Sequence, residues 1–364
     1  MKDAIDGALS RILSHQTWIL GPEVGEFEGK FAEFIGARHA VGASSGTEAL
    51  LLALRAISLT AYGNEYFTRE DEVVTTAFSF TATGDTILRA GATPVFLDID
   101  PESFCLDLDI LERYLRDNSS KVKAIIPVHL YGRAIDGDRL RSITSHYKIA
   151  VVEDVAQACG SSWNGTQCGN IGDLGAFSFF PSKNLGGFGD AGMVTTNNEE
   201  LAAAVRLLTK HGGKDKYNVE YIGYNARLDT IQAAVLLAKL PYLAEFNLNR
   251  RKIAARYNAA FSNHPLFKAP MTSGEHHVYH QYTVRAQNGS RENLKRQLEL
   301  AGISTMVYYP TPLHAMKVFK DRSKVPYVCS EAEKAALEVF SLPIEPLLRD
   351  DEIERVISAC NALQ

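Results

Sequence analysis

From residue 40 to about residue 240 the chain alternates short apolar runs with longer amphipathic ones, and few architectures accept that alternation. The strand candidates are Ala40-Val41, Glu72 to Thr76, Thr93 to Leu97, Ala124 to Val128, Ile149 to Glu153, Ala176 to Phe179 and Gly192 to Thr196. Helical patterns fall between them, for example Thr47 to Ser58 and Asp109 to Asp117. The succession predicts an α/β fold, an open and mostly parallel sheet covered by helices on both faces. Ligands of such sheets gather at the carboxyl ends of the strands, so the residues just past each strand carry the functional information.

Beyond this region the pattern changes. A helical stretch runs from Asp229 to about Phe261 with a kink expected at Pro241, followed by one strand candidate, Tyr279 to Arg285. A turn at Asn288-Gly289-Ser290 precedes a helix from Arg291 to Ala301, and a last helix starts at Asp350. The change places a boundary near residue 240, between a large domain (1–240) and a smaller α+β domain (241–364).

Two strand ends carry the chemistry. Lys183 lies in the run Ser178 to Gly187, and about thirty residues upstream an apolar strand ends in Glu153-Asp154-Val155-Ala156-Gln157. Singly, a lysine beside Ser182 and Asn184 reads as a solvated loop residue, and an aspartate after Val151-Val152 as a helix cap. Together they match what pyridoxal phosphate (PLP) requires: an amine for a Schiff base with the cofactor aldehyde, and a carboxylate that keeps the pyridine nitrogen protonated. Ser178 supplies a hydroxyl for the phosphate, and Gly186 and Gly187 let the chain bend close to a ligand.

Other segments fit the same site. Gly46 and Thr47 open an apolar helix after the small-residue turn Ser44-Ser45, a natural phosphate cradle, although Ser45 and Glu48 also fit a capping box. Phe78 and Phe80 follow a strand expected to neighbour that of Asp154, and Phe80 is the candidate for stacking on a cofactor ring, against the reading that both are core. Gly187, Gly189 and Gly192 match G-x-G-x-x-G, but an apolar run follows where a dinucleotide motif opens a helix, so they read as a turn around the lysine. His129 reads first as a hydrogen-bonded structural histidine. His276, His277 and His280 have only the adjacent Glu275 nearby, so no metal is assigned.

With 46% hydrophobic and 22% charged residues and a net charge of −5, the chain is ordinary globular material without the basic excess of a nucleic-acid or membrane-surface binder. Five cysteines, at 105, 159, 168, 329 and 360, form no C-x-x-C pair and read as reduced thiols. The amino terminus reads as an amphipathic helix without a signal-peptide core, and no run approaches the roughly 20 apolar residues of a membrane span. A cytoplasmic protein is expected.

Taken in order, Gly21 to Val24, Ser45 to Leu50, Glu153 to Gln157, Ser178 to Leu185, Tyr224 to Asp229 and Tyr308 to His314 closely resemble the motifs of the DegT family of sugar aminotransferases, over nearly the whole chain. The resemblance implies the PLP-dependent transferase fold of the aspartate aminotransferase type and transfer of an amino group from an amino acid, L-glutamate, to a ketone on a nucleotide-linked hexose. It implies that Lys183 binds the cofactor and shuttles the proton, that Asp154 pairs with the pyridine nitrogen, and that Gln157 lies near the phenolic oxygen. Gly46, Thr47 and Ser178 would hold the phosphate with Asn225 from the other subunit of a homodimer. Phe80 would cover the ring, and Arg227 and Tyr309 would approach the nucleotide sugar. Tyr308 departs from a frequent histidine at that place. The alternatives are a PLP-dependent sugar dehydratase, in which the family replaces the lysine by histidine, an amino-acid lyase, and a non-catalytic ligand-sensing regulator on the same scaffold.

Overall fold

The computed structural model describes residues 1–215, 217–271 and 274–364. Its amino-terminal helices are α1 (Lys2–His15) and α2 (Pro22–Ile35). Helix α2 starts on Pro22, whose fixed φ suits a first helical position, and stops at Gly36, which takes the left-handed φ of 76° that closes a helix. Strand β1 (His39–Ala43) leads into α3 (Gly46–Tyr62), capped by Ser45, whose hydroxyl accepts the Glu48 N–H at 3.1 Å. Only this half of the expected capping box forms, because the Glu48 carboxylate pairs with Arg89 at 2.8 Å.

The remaining central strands are β2 (Glu72–Thr76), β3 (Thr93–Leu97), β4 (Val122–Ile126), β5 (Ala150–Asp154), β6 (Leu174–Ser178) and β7 (Gly192–Thr196). Helix α4 (Thr81–Arg89) follows β2. The seven strands line up as β1-β7-β6-β5-β4-β2-β3. Pairings from β6 through β3 are parallel, whereas β7 runs antiparallel to both β1 and β6. Every residue of β2, β3 and β7 is buried, as expected of a sheet covered on both faces. On one face Phe31 meets Phe177 and Phe179 edge to face at 5.0 and 5.1 Å. On the other, α3 presents Leu50 to Leu54, all at most 3% exposed, to Val41, Val73, Ile126 and Val152. A helix apolar on every side belongs inside a fold, which explains the Ala49 to Leu54 run.

The stretch from Asp229 to Phe261 forms two helices, Thr230–Lys239 and Leu243–Phe261, separated by a single 3-10 turn that contains Pro241. A second, antiparallel sheet joins Phe267–Lys268, Tyr282–Ala286 and Val339–Leu342. Its strand starts at Tyr282 rather than Tyr279, because Tyr279 holds a φ of 45° that no strand admits. This sheet, Arg291–Leu300 and Asp350–Asn361 enclose a separate core around Tyr257, Phe261, Tyr282, Val284, Leu294 and Phe340. Among the described residues no helix is long and apolar enough to cross a membrane.

Candidate active site

The carboxyl ends of β5 and β6, the amino termini of α3 and α4, and a loop of the carboxyl-terminal part border one cavity of about 490 Å³. Lys183 and Asp154 both line it, and so do Gly46, Thr47, Ser178, Phe80, Gln157 and Tyr309. Asp154 and Ser178 are the last residues of β5 and β6, neighbouring parallel strands, which is why residues far apart in sequence meet.

Asp154 is only 6% exposed. Its Oδ2 accepts the Thr83 hydroxyl at 2.8 Å and its Oδ1 the Ala156 N–H at 3.1 Å. Burial raises this carboxyl above the usual range, and the Thr83 and Ala156 hydrogen bonds and the Lys183 charge oppose the rise. Burial also pushes the Lys183 amine down to about 8, with Asp154 opposing. An amine near 8 has roughly a tenth of its molecules unprotonated at pH 7 and about half at pH 8, far more than an ordinary lysine, and a nucleophilic lysine needs that free base. The loop holds it through Lys183 N–H to Phe180 C=O at 2.8 Å, and Gly187 N–H to Phe179 C=O at 2.8 Å. Gly187, Gly189 and Gly192 therefore form the turn behind the lysine and run into β7, not into a helix.

The cradle is equally constrained. A Cβ on Gly46 would lie 2.6 Å from the Ser178 Cβ, so only glycine brings the α3 amino terminus against the end of β6. Gln157 Oε1 accepts the Tyr131 N–H at 2.6 Å, and its Nε2 donates to the Tyr309 hydroxyl at 3.0 Å. Phe80 is 55% exposed and its ring stands 6.1 Å from that of Tyr309, whereas Phe78 is fully buried. The expectation that the strand before Phe80 neighbours that of Asp154 does not hold. β4 lies between β2 and β5, and the contact is made instead by the first turn of α4 through Thr83.

Asn225 and Arg227 do not line the cavity of their own chain; Arg227 donates to the Asn225 side-chain carbonyl on the segment before Thr230–Lys239. Thr83, Ser79, Ser182, Asp190, His280, Gln281 and Tyr308 line it without having been singled out as site residues. For Thr83 the sequence carries no signal, because its role depends on which strand α4 crosses.

His129 is fully buried. Its ring is 2.8 Å from Glu153 through Nε2 and accepts the Ile135 N–H at Nδ1, which makes it structural. His129, Glu153 and Cys168 bring three potential ligand atoms within 4.8 Å, but the Glu153 oxygens already accept the N–H groups of Gly169, Ile171 and Gly172. His277 accepts the Tyr279 N–H, and His280 Nδ1 faces the Asn184 carbonyl oxygen at 3.1 Å. The Glu275 side chain lies outside the described residues.

A half-buried lysine with a lowered pKa, a buried anionic partner, and a glycine-dependent cradle of N–H and hydroxyl donors suit PLP. These features define a PLP-dependent aminotransferase. Residues 1–361 match the DegT/DnrJ/EryC1/StrS aminotransferase family, and the chain belongs to it. It is 41% identical over 360 residues to a "pleiotropic regulatory protein" of Geobacillus stearothermophilus, covering 98% of this chain and 93% of that one. It is 39% identical over 360 residues to the UDP-2-acetamido-2-deoxy-3-oxo-D-glucuronate aminotransferase of Pseudomonas aeruginosa, covering 99% and 96%. The crystal structure of S. venezuelae DesV in complex with a ketimine intermediate superposes with a TM-score of 0.92 at 36% identity, covering 99% and 94%.

Proposed function

We propose that the protein transfers an amino group from L-glutamate to a 3-keto group on a nucleotide-linked hexose, in the cytoplasm, for amino-sugar or cell-surface polysaccharide biosynthesis. The observation that carries this reading is the meeting of Lys183, with its amine lowered to about 8, and buried Asp154 in one cavity beside the Gly46 and Ser178 cradle. The 3-oxo sugar named for the Pseudomonas relative supports the position of amination, and the family resemblance supports glutamate.

Lys183 would hold the cofactor and then move a proton between its amine and the reacting carbon. Asp154 would face the pyridine nitrogen, and Gly46, Thr47 and Ser178 the phosphate. Phe80 would lie over the ring, Gln157 near its phenolic oxygen, and Tyr309 toward the sugar. Bound PLP supplies the electron sink that stabilises negative charge at the amino-bearing carbon.

The active form is a homodimer in this reading, with Asn225 completing the partner's phosphate site and Arg227 near the nucleotide sugar. Two observations support it: both residues stand outside their own cavity, and Trp18, Ile19, Leu20, Phe188, Ile222 and Ile231 are exposed apolar side chains. Residues 1–240 form the cofactor domain and 241–364 the smaller one, a division supported by the separate core around Tyr257 and Phe340.

The test is incubation with nitrogen-15 L-glutamate and a UDP-linked 3-keto-hexose. Label in the sugar amine, abolished in Lys183→Ala, is expected; loss of water from the sugar without label, or no product, contradicts the reading.

A further inference from the structure

The first turn of α4 does more than position Phe80. Ser79, just before α4, and Thr83, in its first turn, both point inward and are at most 2% exposed. The Ser79 and Thr83 hydroxyl oxygens are 2.9 Å apart, and Thr83 Oγ1 is 2.8 Å from Asp154 Oδ2. A hydroxyl has one proton, and a carboxylate can only accept it, so the direction of the chain is fixed. Thr83 donates to Asp154 and Ser79 donates to Thr83. The other carboxylate oxygen takes the Ala156 N–H. Each oxygen of Asp154 is thus held by one donor from the protein, which restrains the plane of the carboxylate.

We propose that Thr83, backed by Ser79, is a positioning residue that orients the Asp154 carboxylate toward the pyridine nitrogen of the cofactor and keeps it ionised. The inference rests on the assignment of Asp154 to that nitrogen.

The physical need is plain. A carboxylate removed from water tends to take up a proton, and a protonated Asp154 cannot hold the pyridinium form of the ring. The titratable groups that face Asp154 are Lys183, from the loop after β6, His129, after β4, and the Tyr309 hydroxyl, from the carboxyl-terminal part. His129 is engaged by Glu153 at 2.8 Å, and burial weakens the charge on Lys183. A short chain of neutral donors stabilises the anion without a further charge that would itself need a partner. The arrangement also ties the candidate ring contact of Phe80 to the Asp154 support, because Phe80 is the N-cap of α4 and stands between Ser79 and Thr83.

The experiment uses pyridoxamine phosphate, which binds without a covalent bond, and follows its dissociation constant from pH 5.5 to 8.5 by fluorescence in the dimeric apoenzyme. The ligand's own ionisations are common to all variants and cancel in the comparison. Thr83→Val, which keeps the shape and removes the hydroxyl, is expected to weaken binding about ten- to hundredfold at pH 7. It should also raise the pH below which affinity is lost, as Asp154 takes up its proton earlier. Thr83→Ser should restore both. Ser79→Ala, which leaves the bond from Thr83 in place, should move the pH dependence less and in the same direction, and it carries the test if Thr83→Val does not fold. A loss of affinity equal at every pH, or no loss, overturns the proposal. Asp154→Asn separates the two levels: if it binds pyridoxamine phosphate as tightly as the unaltered protein, the assignment of Asp154 itself fails, whereas weak binding in Asp154→Asn beside unchanged binding in Thr83→Val overturns the role of Thr83 alone.

Discussion

The Gln157 side chain donates to the Tyr309 hydroxyl at 3.0 Å, 152 residues further along the sequence, while it accepts the Tyr131 N–H at 2.6 Å. Gln157→Leu leaves the Tyr131 N–H without its acceptor in a part-buried position and releases Tyr309. It should lose about 1–3 kcal/mol of unfolding free energy in urea denaturation. KM for the sugar should rise, because Tyr309 would no longer be held over the cavity.

Gly46→Ala tests the cradle. The added Cβ would stand 2.6 Å from Ser178 Cβ and 3.1 Å from its Cα, so strand or helix must shift. A destabilisation of about 1–3 kcal/mol is expected from such overpacking, together with weaker PLP binding. Ser178→Ala should not relieve it, because the clash is with the Cβ. Equilibrium dialysis of both variants, and of the pair combined, provides the check.

The capture of PLP should depend on pH through the lysine. With its amine lowered to about 8, Lys183 is protonated below that pH and reacts only as the free base. The rate at which apoenzyme takes up PLP covalently should climb about tenfold per unit well below pH 8 and level off above it. Stopped-flow absorbance measures this, and a climb continuing past pH 10 would mean an ordinary exposed lysine.

Removing the buried charge of Glu153 tests the scaffold behind the site. Its carboxylate accepts N–H groups from Gly169, Ile171 and Gly172 and lies 2.8 Å from His129 Nε2. In Glu153→Gln an amide with one acceptor oxygen replaces two, and its own N–H groups face donors. A loss of about 3 kcal/mol in thermal or urea unfolding is expected.

Much of this was legible in the sequence, for reasons that differ by element. The parallel strands carry short apolar runs, such as Val73-Val74, Val95 to Leu97 and Ala124 to Ile126, so β2 to β6 stand out from the amphipathic segments between them. Pro241 breaks a helical pattern by the missing N–H, and the break lies where it was expected. The antiparallel direction of β7 has no local signature, because a buried strand of either direction reads alike. The strand Val339–Leu342 was overlooked for a related reason: four residues after the helix Ser330–Glu338 are too few to show a period.

Among the residues lining the cavity, Asp154, Ser178 and Gly46 could be read because each sits at a strand end or a helix start, and Lys183 because its loop follows one of those strand ends. Thr83 could not, since its partner lies on a strand that is not adjacent to β2. His280 drew attention as one of three nearby histidines, and the fold separates it from them. Its ring lines the cavity and faces Asn184, next to Lys183. In the proposed homodimer the roles of Asn225 and Arg227 would depend on a second chain, which one sequence read alone does not arrange.

The most direct test of the central claim is reduction of the PLP-loaded protein with borohydride, followed by peptide mass spectrometry. The phosphopyridoxyl group is predicted on the peptide containing Lys183 and on no other, and its absence there, or its attachment to a different lysine, would contradict the account.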